Sequence, residues 1–189
     1  MKNKNLLFPW HFVLWVLTLS TGYAVVRYVV FGATAVKDIP LYIGNQVLAI
    51  SSLIFFIRYL MHKNYYLGGL SYLFLIGHLI ISVLIVSPAY FSHFFNAQSE
   101  LNGYANWSLF FGVFSFLSIW VFHQIKKGNQ LFIIFSNKIL IRLILTGIGL
   151  HLFFMGFDGW FQPGQWKGGL PPITLVGFVL LFLVFFRRR

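Results

Sequence analysis

The chain has 189 residues, 59% of them hydrophobic and 9% charged, with three acids against fourteen Lys and Arg and a mean hydropathy of +0.81. These proportions exclude an ordinary soluble domain and point to helices that cross a bilayer. The basic excess lies at the ends of apolar runs rather than in a patch, which argues against nucleic acid, and with no cysteine any electron chemistry needs a bound cofactor.

Apolar runs and their punctuation predict an all-α, polytopic membrane protein, a six-helix bundle, with spans over 8–31, 41–61, 66–87, 107–125, 136–157 and 172–187. The first run, after Met1 to Asn5, exceeds a signal-peptide core and is expected to remain as helix one. Asp38 and Pro40 separate it from the second span, and a Lys63-Asn64 turn separates the second from the third. Ser87-Pro88 closes the third span, Lys126 to Gly128 the fourth, and the Pro163 to Pro172 stretch lies before the sixth. No phosphate-binding glycine motif, long linker or repeat is evident, so residues 1–189 are read as a single membrane domain.

Charge sets the expected orientation. With the N-terminus inside, Lys2, Lys4, Arg58, Lys63, Lys126, Lys127, Lys138, Arg142 and Arg187 to Arg189 face the cytoplasm. Arg27, Lys37 and Lys167, with all three acids (Asp38, Glu100 and Asp158), face the other side. Basic residues favour the cytoplasmic side, so both termini are expected there.

Helices three and five then run the same way, and each carries a histidine in mid-span. His78 is about 12 residues into its helix and His151 about 15, roughly 18 and 22 Å from the inner boundary at the helical rise. An ionisable group at bilayer depth is costly and marks function by default. Neutral imidazole is also the usual axial ligand of a membrane b-type haem, so one bis-histidine, low-spin haem is the simplest site for the pair. The bland alternative is a haem-free scaffold or assembly subunit, with both histidines as interhelical hydrogen-bonding residues. Gly77, Gly147 and Gly149 are small residues that let a flat porphyrin approach the backbone, although glycine is common in membrane helices anyway.

The remaining candidates are read alongside these. Arg27 and Arg142 each fit either a haem propionate partner or an interfacial anchor. His11, His62 and His123 fall at cytoplasmic ends and read as solvated imidazoles, while His93 in the outer loop has no histidine of matching height on helix five. The loop from Phe157 to Pro172, with Trp160, Phe161 and Trp166, reads as an interfacial belt or as a dock for a quinone or an extracytoplasmic protein. A transporter is disfavoured because no acid lies inside a span and no pair of broken helices is evident.

The chain also resembles the ferric reductase-like transmembrane domain family, which includes the membrane haem domains of ferric reductases and NADPH oxidases and the haem subunit of the methionine sulfoxide reductase system. The likeness runs from helix two onward. It rests on Asn45 to Leu53, a basic turn leading into Leu67 to His78, Ser87-Pro88-Ala89-Tyr90, and Arg142 to His151 followed by Gly159-Trp160. The resemblance implies b-type haem held by helices three and five and electron transfer within the membrane, with His78 and His151 as axial ligands. The family pattern has a second histidine on helix five, about thirteen residues from the first; Lys138 stands there here, which implies one haem rather than two. The oxidases also carry a flavin and nicotinamide domain after their haem domain. None is expected on this chain, whose reductant would be a separate flavoprotein or membrane quinol. A bacterial inner membrane is the expected location.

Overall fold

Hydrocarbon offers backbone amides and carbonyls no water, so a spanning segment must pair them within itself, and among the described residues every candidate span does so as a helix. The computed structural model describes residues 9–32, 39–87, 91–126 and 137–187. The helices are α1 (Trp10–Val25, continued by a π-helical turn Val26–Val30), α2 (Ile39–His62), α3 (Tyr65–Ile85), α4 (Gly103–Lys126), α5 (Asn137–Trp160) and α6 (Ile173–Arg187). Among the described residues six helical segments are long and apolar enough to cross a bilayer, at 20 to 24 residues each, the first counted as Trp10–Val30 and the sixth as Lys167–Phe186. Large apolar side chains such as Trp15 (65% exposed), Val83 (68%) and Leu84 (71%) point outward, as lipid-facing residues do.

The predicted ends hold to within a few residues, and the differences have local causes. Lys63 takes a left-handed backbone (φ 53) between α2 and α3, and the Asn64 side chain accepts from the amides of Tyr66 and Leu67 to start α3. Helix α4 begins four residues earlier than predicted because Asn102 caps it, its Oδ1 accepting from the Ala105 amide at 3.0 Å. Helix α5 runs on through Gly156 and Gly159 to Trp160. Lys2, Lys4, Lys37, Asp38, Lys127, Arg188, Arg189 and the Pro88-Ala89-Tyr90 stretch lie outside the described residues.

The chain divides into two compact units, Met1–Phe91 with Pro163–Ile173, and Ser92–Gln162 with Thr174–Arg189. In the first, α2 and α3 form an antiparallel hairpin. Leu48 meets Gly77, Tyr59 meets Gly68, and Ser52 and Ser71 exchange hydrogen bonds, each hydroxyl donating to the other's carbonyl at 2.9 Å. Helix α1 joins α2 through Ser51 and Ser20, whose hydroxyls are 3.3 Å apart, and through Phe12 against Phe55. The 163–173 segment is strapped to α1 and its π-helical extension: the Tyr23 hydroxyl donates to the Pro171 carbonyl and the Arg27 guanidinium to the Leu170 carbonyl. Gly168 sits in the left-handed region (φ 61) with Phe31 against its backbone, where any side chain would be strained and crowded.

In the second unit α4 and α5 form another antiparallel hairpin, with Ser108 opposite His151 and Ser115 opposite Gly147. Helix α6 is fastened to α5 by the buried Trp160, whose indole N–H donates to Thr174 Oγ1 at 3.0 Å, while Gly156 gives Thr174 room to approach. The 92–102 loop closes through a bridge between Phe95 and Leu101 and through Asn102, whose amide nitrogen donates to the His93 carbonyl at 2.6 Å.

Candidate functional site

Each hairpin positions one of the two mid-span histidines, and it does so by the same means. His78 is the fourteenth residue of α3 and His151 the fifteenth of α5. Both are half-buried on the second helix of their hairpin, and in both cases an oxygen on the first helix meets Nδ1.

For His78 that oxygen is Oδ1 of Asn45 at 2.7 Å. Asn45 is only 1% exposed, so its carboxamide is committed to this contact rather than to water. The same Oδ1 accepts from the Ser82 hydroxyl at 3.1 Å, and Ser82 Oγ lies 3.4 Å from Nδ1. A carboxamide oxygen can only accept, so the short contact makes Nδ1 the donor; in the neutral ring the lone pair is then that of Nε2.

For His151 the oxygen is the backbone carbonyl of Ser108 at 2.8 Å, with the Ser108 hydroxyl 3.2 Å from the same nitrogen. A backbone carbonyl again fixes Nδ1 as the donor. Gly112, one turn along α4, makes this approach possible: a Cβ there would stand 3.0 Å from Nδ1 and 3.3 Å from Cε1 of the ring. Trp107, Phe111 and Phe154 flank this part of the hairpin as a near-parallel stack, Phe111 and Phe154 lying 5.8 Å apart with their planes only 4° from parallel.

Both imidazoles therefore donate from Nδ1 and are held by an oxygen behind the ring. Metal-ligating histidines are usually oriented in this way, the distal N–H donating to a carbonyl or carboxylate while the other nitrogen meets the metal. Each imidazole, taken singly, has the chemistry of an axial haem ligand. Among the described residues there is no cluster of three or more His, Asp or Glu side chains that could hold a metal ion, and His11, His62 and His123 form none.

The other predicted residues fall out differently. Arg27 is 7% exposed on the π-helical turn, donates to the Leu170 carbonyl, and lies with its guanidinium carbon 5.6 Å from the Tyr28 ring centre. Its Nε is buried with no hydrogen-bond partner among the described residues. Lys167 approaches the same Tyr28 ring at 5.7 Å. Arg142 is exposed on α5, as an interfacial anchor is. His93 is exposed on the short 3-10 turn Ser92–Phe94, its Nε2 3.3 Å from the Met155 carbonyl, four residues beyond His151 on α5.

Gly77 and Gly147, expected to admit a flat ligand, instead face neighbouring helices. Leu48 packs on the first, and Phe114 and Ser115 on the second. Gly149 lines an apolar cleft of about 180 Å³ walled by Leu145, Thr146, Leu150 and Phe178, Leu181, Phe182, Phe185. Trp160, expected in an interfacial belt, is 6% exposed and packs against α6, whereas Phe161 is 74% exposed.

The residues that sequence reasoning missed are Asn45 as a partner, Ser108 and Gly112. The available signal was spacing: Asn45 and Ser52, like Ser108 and Ser115, are small polar residues seven apart in otherwise apolar helices, which places each pair on one face.

These features define a six-helix integral membrane protein with two oxygen-anchored histidines in mid-span. The chain matches no family model, no curated protein and no solved structure.

Proposed function

We propose that the protein is an integral-membrane b-type cytochrome, ferric reductase-like, in which His78 and His151 are the axial ligands of one low-spin haem. The observation that carries this reading is the matched anchoring of two mid-span imidazoles through Nδ1, at 2.7 Å to Asn45 Oδ1 and 2.8 Å to the Ser108 carbonyl. Metal-ligating histidines are commonly oriented by such an acceptor at the distal nitrogen, whereas interhelical adhesion needs no common tautomer. When bound, the haem supplies a one-electron Fe(III)/Fe(II) couple whose potential follows ligand basicity, hydrogen bonding and burial.

The chain's own residues do the rest. Asn45 and the Ser108 carbonyl hold the two rings in orientation. Arg27 supports a propionate role through its buried, unpartnered Nε; Arg142, being exposed, is assigned to the interface. In this reading the electron donor is a separate flavoprotein or quinol, the acceptor a ferric chelate, a quinone or an extracytoplasmic redox partner, and the location a bacterial inner membrane.

Absorption spectroscopy of protein purified from haem-replete cells tests the proposal. A sharp α-band on reduction, lost in both His78→Ala and His151→Ala, is the expected result. A colourless wild-type protein overturns the proposal and favours a haem-free scaffold.

A further inference from the structure

We infer that Asn45 is the positioning residue that sets the redox potential of this site, by holding His78 as the Nδ1–H tautomer and polarising its ring. The inference rests on the haem reading above and deepens it.

The two anchors differ in kind. His151 leans on a main-chain carbonyl, which no substitution of Ser108 removes, and Gly112 fixes the ring's distance from α4. His78 leans on a side chain that exists at this position only because residue 45 is asparagine. Asn45 is 1% exposed in an apolar helix, where a carboxamide is expensive unless its hydrogen bonds are made. Its oxygen collects both the imidazole N–H and the Ser82 hydroxyl, at 2.7 and 3.1 Å. Helix adhesion in this hairpin is already served by the reciprocal Ser52–Ser71 pair seven residues away along α2.

An acceptor behind a ligating imidazole raises its basicity and favours the more positive iron. Loss of the acceptor makes His78 a weaker donor and raises the midpoint potential; a carboxylate in its place strengthens the donor and lowers it. The expected shift is at least tenfold in the oxidised-to-reduced ratio in each direction, which is 59 mV for a one-electron couple.

Redox potentiometry of the full chain in detergent, with wild type, Asn45→Leu, Asn45→Asp and Asn45→Gln, tests this. The expected order is Leu above wild type and Asp below it, with Gln near wild type because it keeps the carboxamide. Asn45→Leu holding haem at the wild-type potential overturns the inference and leaves the proposed function standing. If Asn45→Leu holds no haem, Asn45→Asp decides: an unchanged potential overturns the inference. Nitrogen-15 shifts of His78 in haem-free protein give a second readout. Nδ1 is protonated in wild type and the tautomers are mixed in Asn45→Leu; a mixed wild type overturns the inference. A wild type that never takes up haem fails the functional reading instead, and the nitrogen-15 result then still judges the anchor itself.

Discussion

Replacing Gly112 with alanine puts a methyl group 3.0 Å from Nδ1 and 3.3 Å from Cε1 of His151. Comfortable contact needs about 3.5 Å or more, so the ring has to retreat by roughly 0.5 Å or rotate. The same nitrogen is hydrogen-bonded to the Ser108 carbonyl at 2.8 Å, one turn away on the same helix. A retreat of that size carries the bond past about 3.2 Å, the end of the normal range, and weakens it. The loss is about 0.6 kcal/mol for an average interhelical bond in a membrane. Alanine returns about 1 kcal/mol of helix propensity, so overall stability hardly changes. The effect is local, and the assay must be too: nitrogen-15 and proton shifts of the labelled histidines in detergent. The Nδ1 proton of His151 is expected to move upfield in Gly112→Ala, with the His78 signals unmoved. Gly77→Ala is the control, since its methyl meets only the flexible Leu48 tip, at 3.1 Å, and a leucine methyl can turn aside. His151 signals unchanged in Gly112→Ala would refute the close approach of α4 to the ring.

Ser52→Ala and Ser71→Ala each remove one hydroxyl bond of 2.9 Å, so each is expected to cost about 0.6 kcal/mol in micelle unfolding. The two residues are in direct contact, so the double variant is expected to depart from simple additivity; wild-type stability in both single variants contradicts the reciprocal geometry. Asn102→Ala removes the cap of α4 at Ala105 together with the tie to the His93 carbonyl. It should cost about 1 kcal/mol and speed amide exchange at Ala105, with α5 unaffected; unchanged exchange counts against the cap.

The six spans were legible because an apolar run of bilayer length leaves the backbone no alternative to helix, and because Lys63-Asn64 and the Pro163 to Pro172 stretch interrupt the runs. The start of α4 was misplaced because the aromatic run hid Asn102-Gly103, a cap signal that outweighs hydropathy at the boundary. The π-helical turn that carries Arg27 leaves no mark in an apolar sequence, since helices apolar all round have no clear face. His78 and His151 stood out because ionisable groups in mid-span are rare. Their anchors did not. A seven-residue spacing tells which residues of one helix share a face, but it does not tell which helix receives that face. Only the antiparallel registers of α2 with α3 and α4 with α5 bring Asn45 to His78 and Ser108 to His151. For the same reason Gly77 and Gly147 were matched to a ligand when their actual neighbours are side chains of the adjoining helix.

Haem content per polypeptide, measured by pyridine haemochrome against quantitative amino-acid analysis, tests the central claim most directly. The account predicts one b-type haem per chain in the wild type and none in either His78→Ala or His151→Ala. A ratio of zero in haem-replete preparations, or of two, contradicts it.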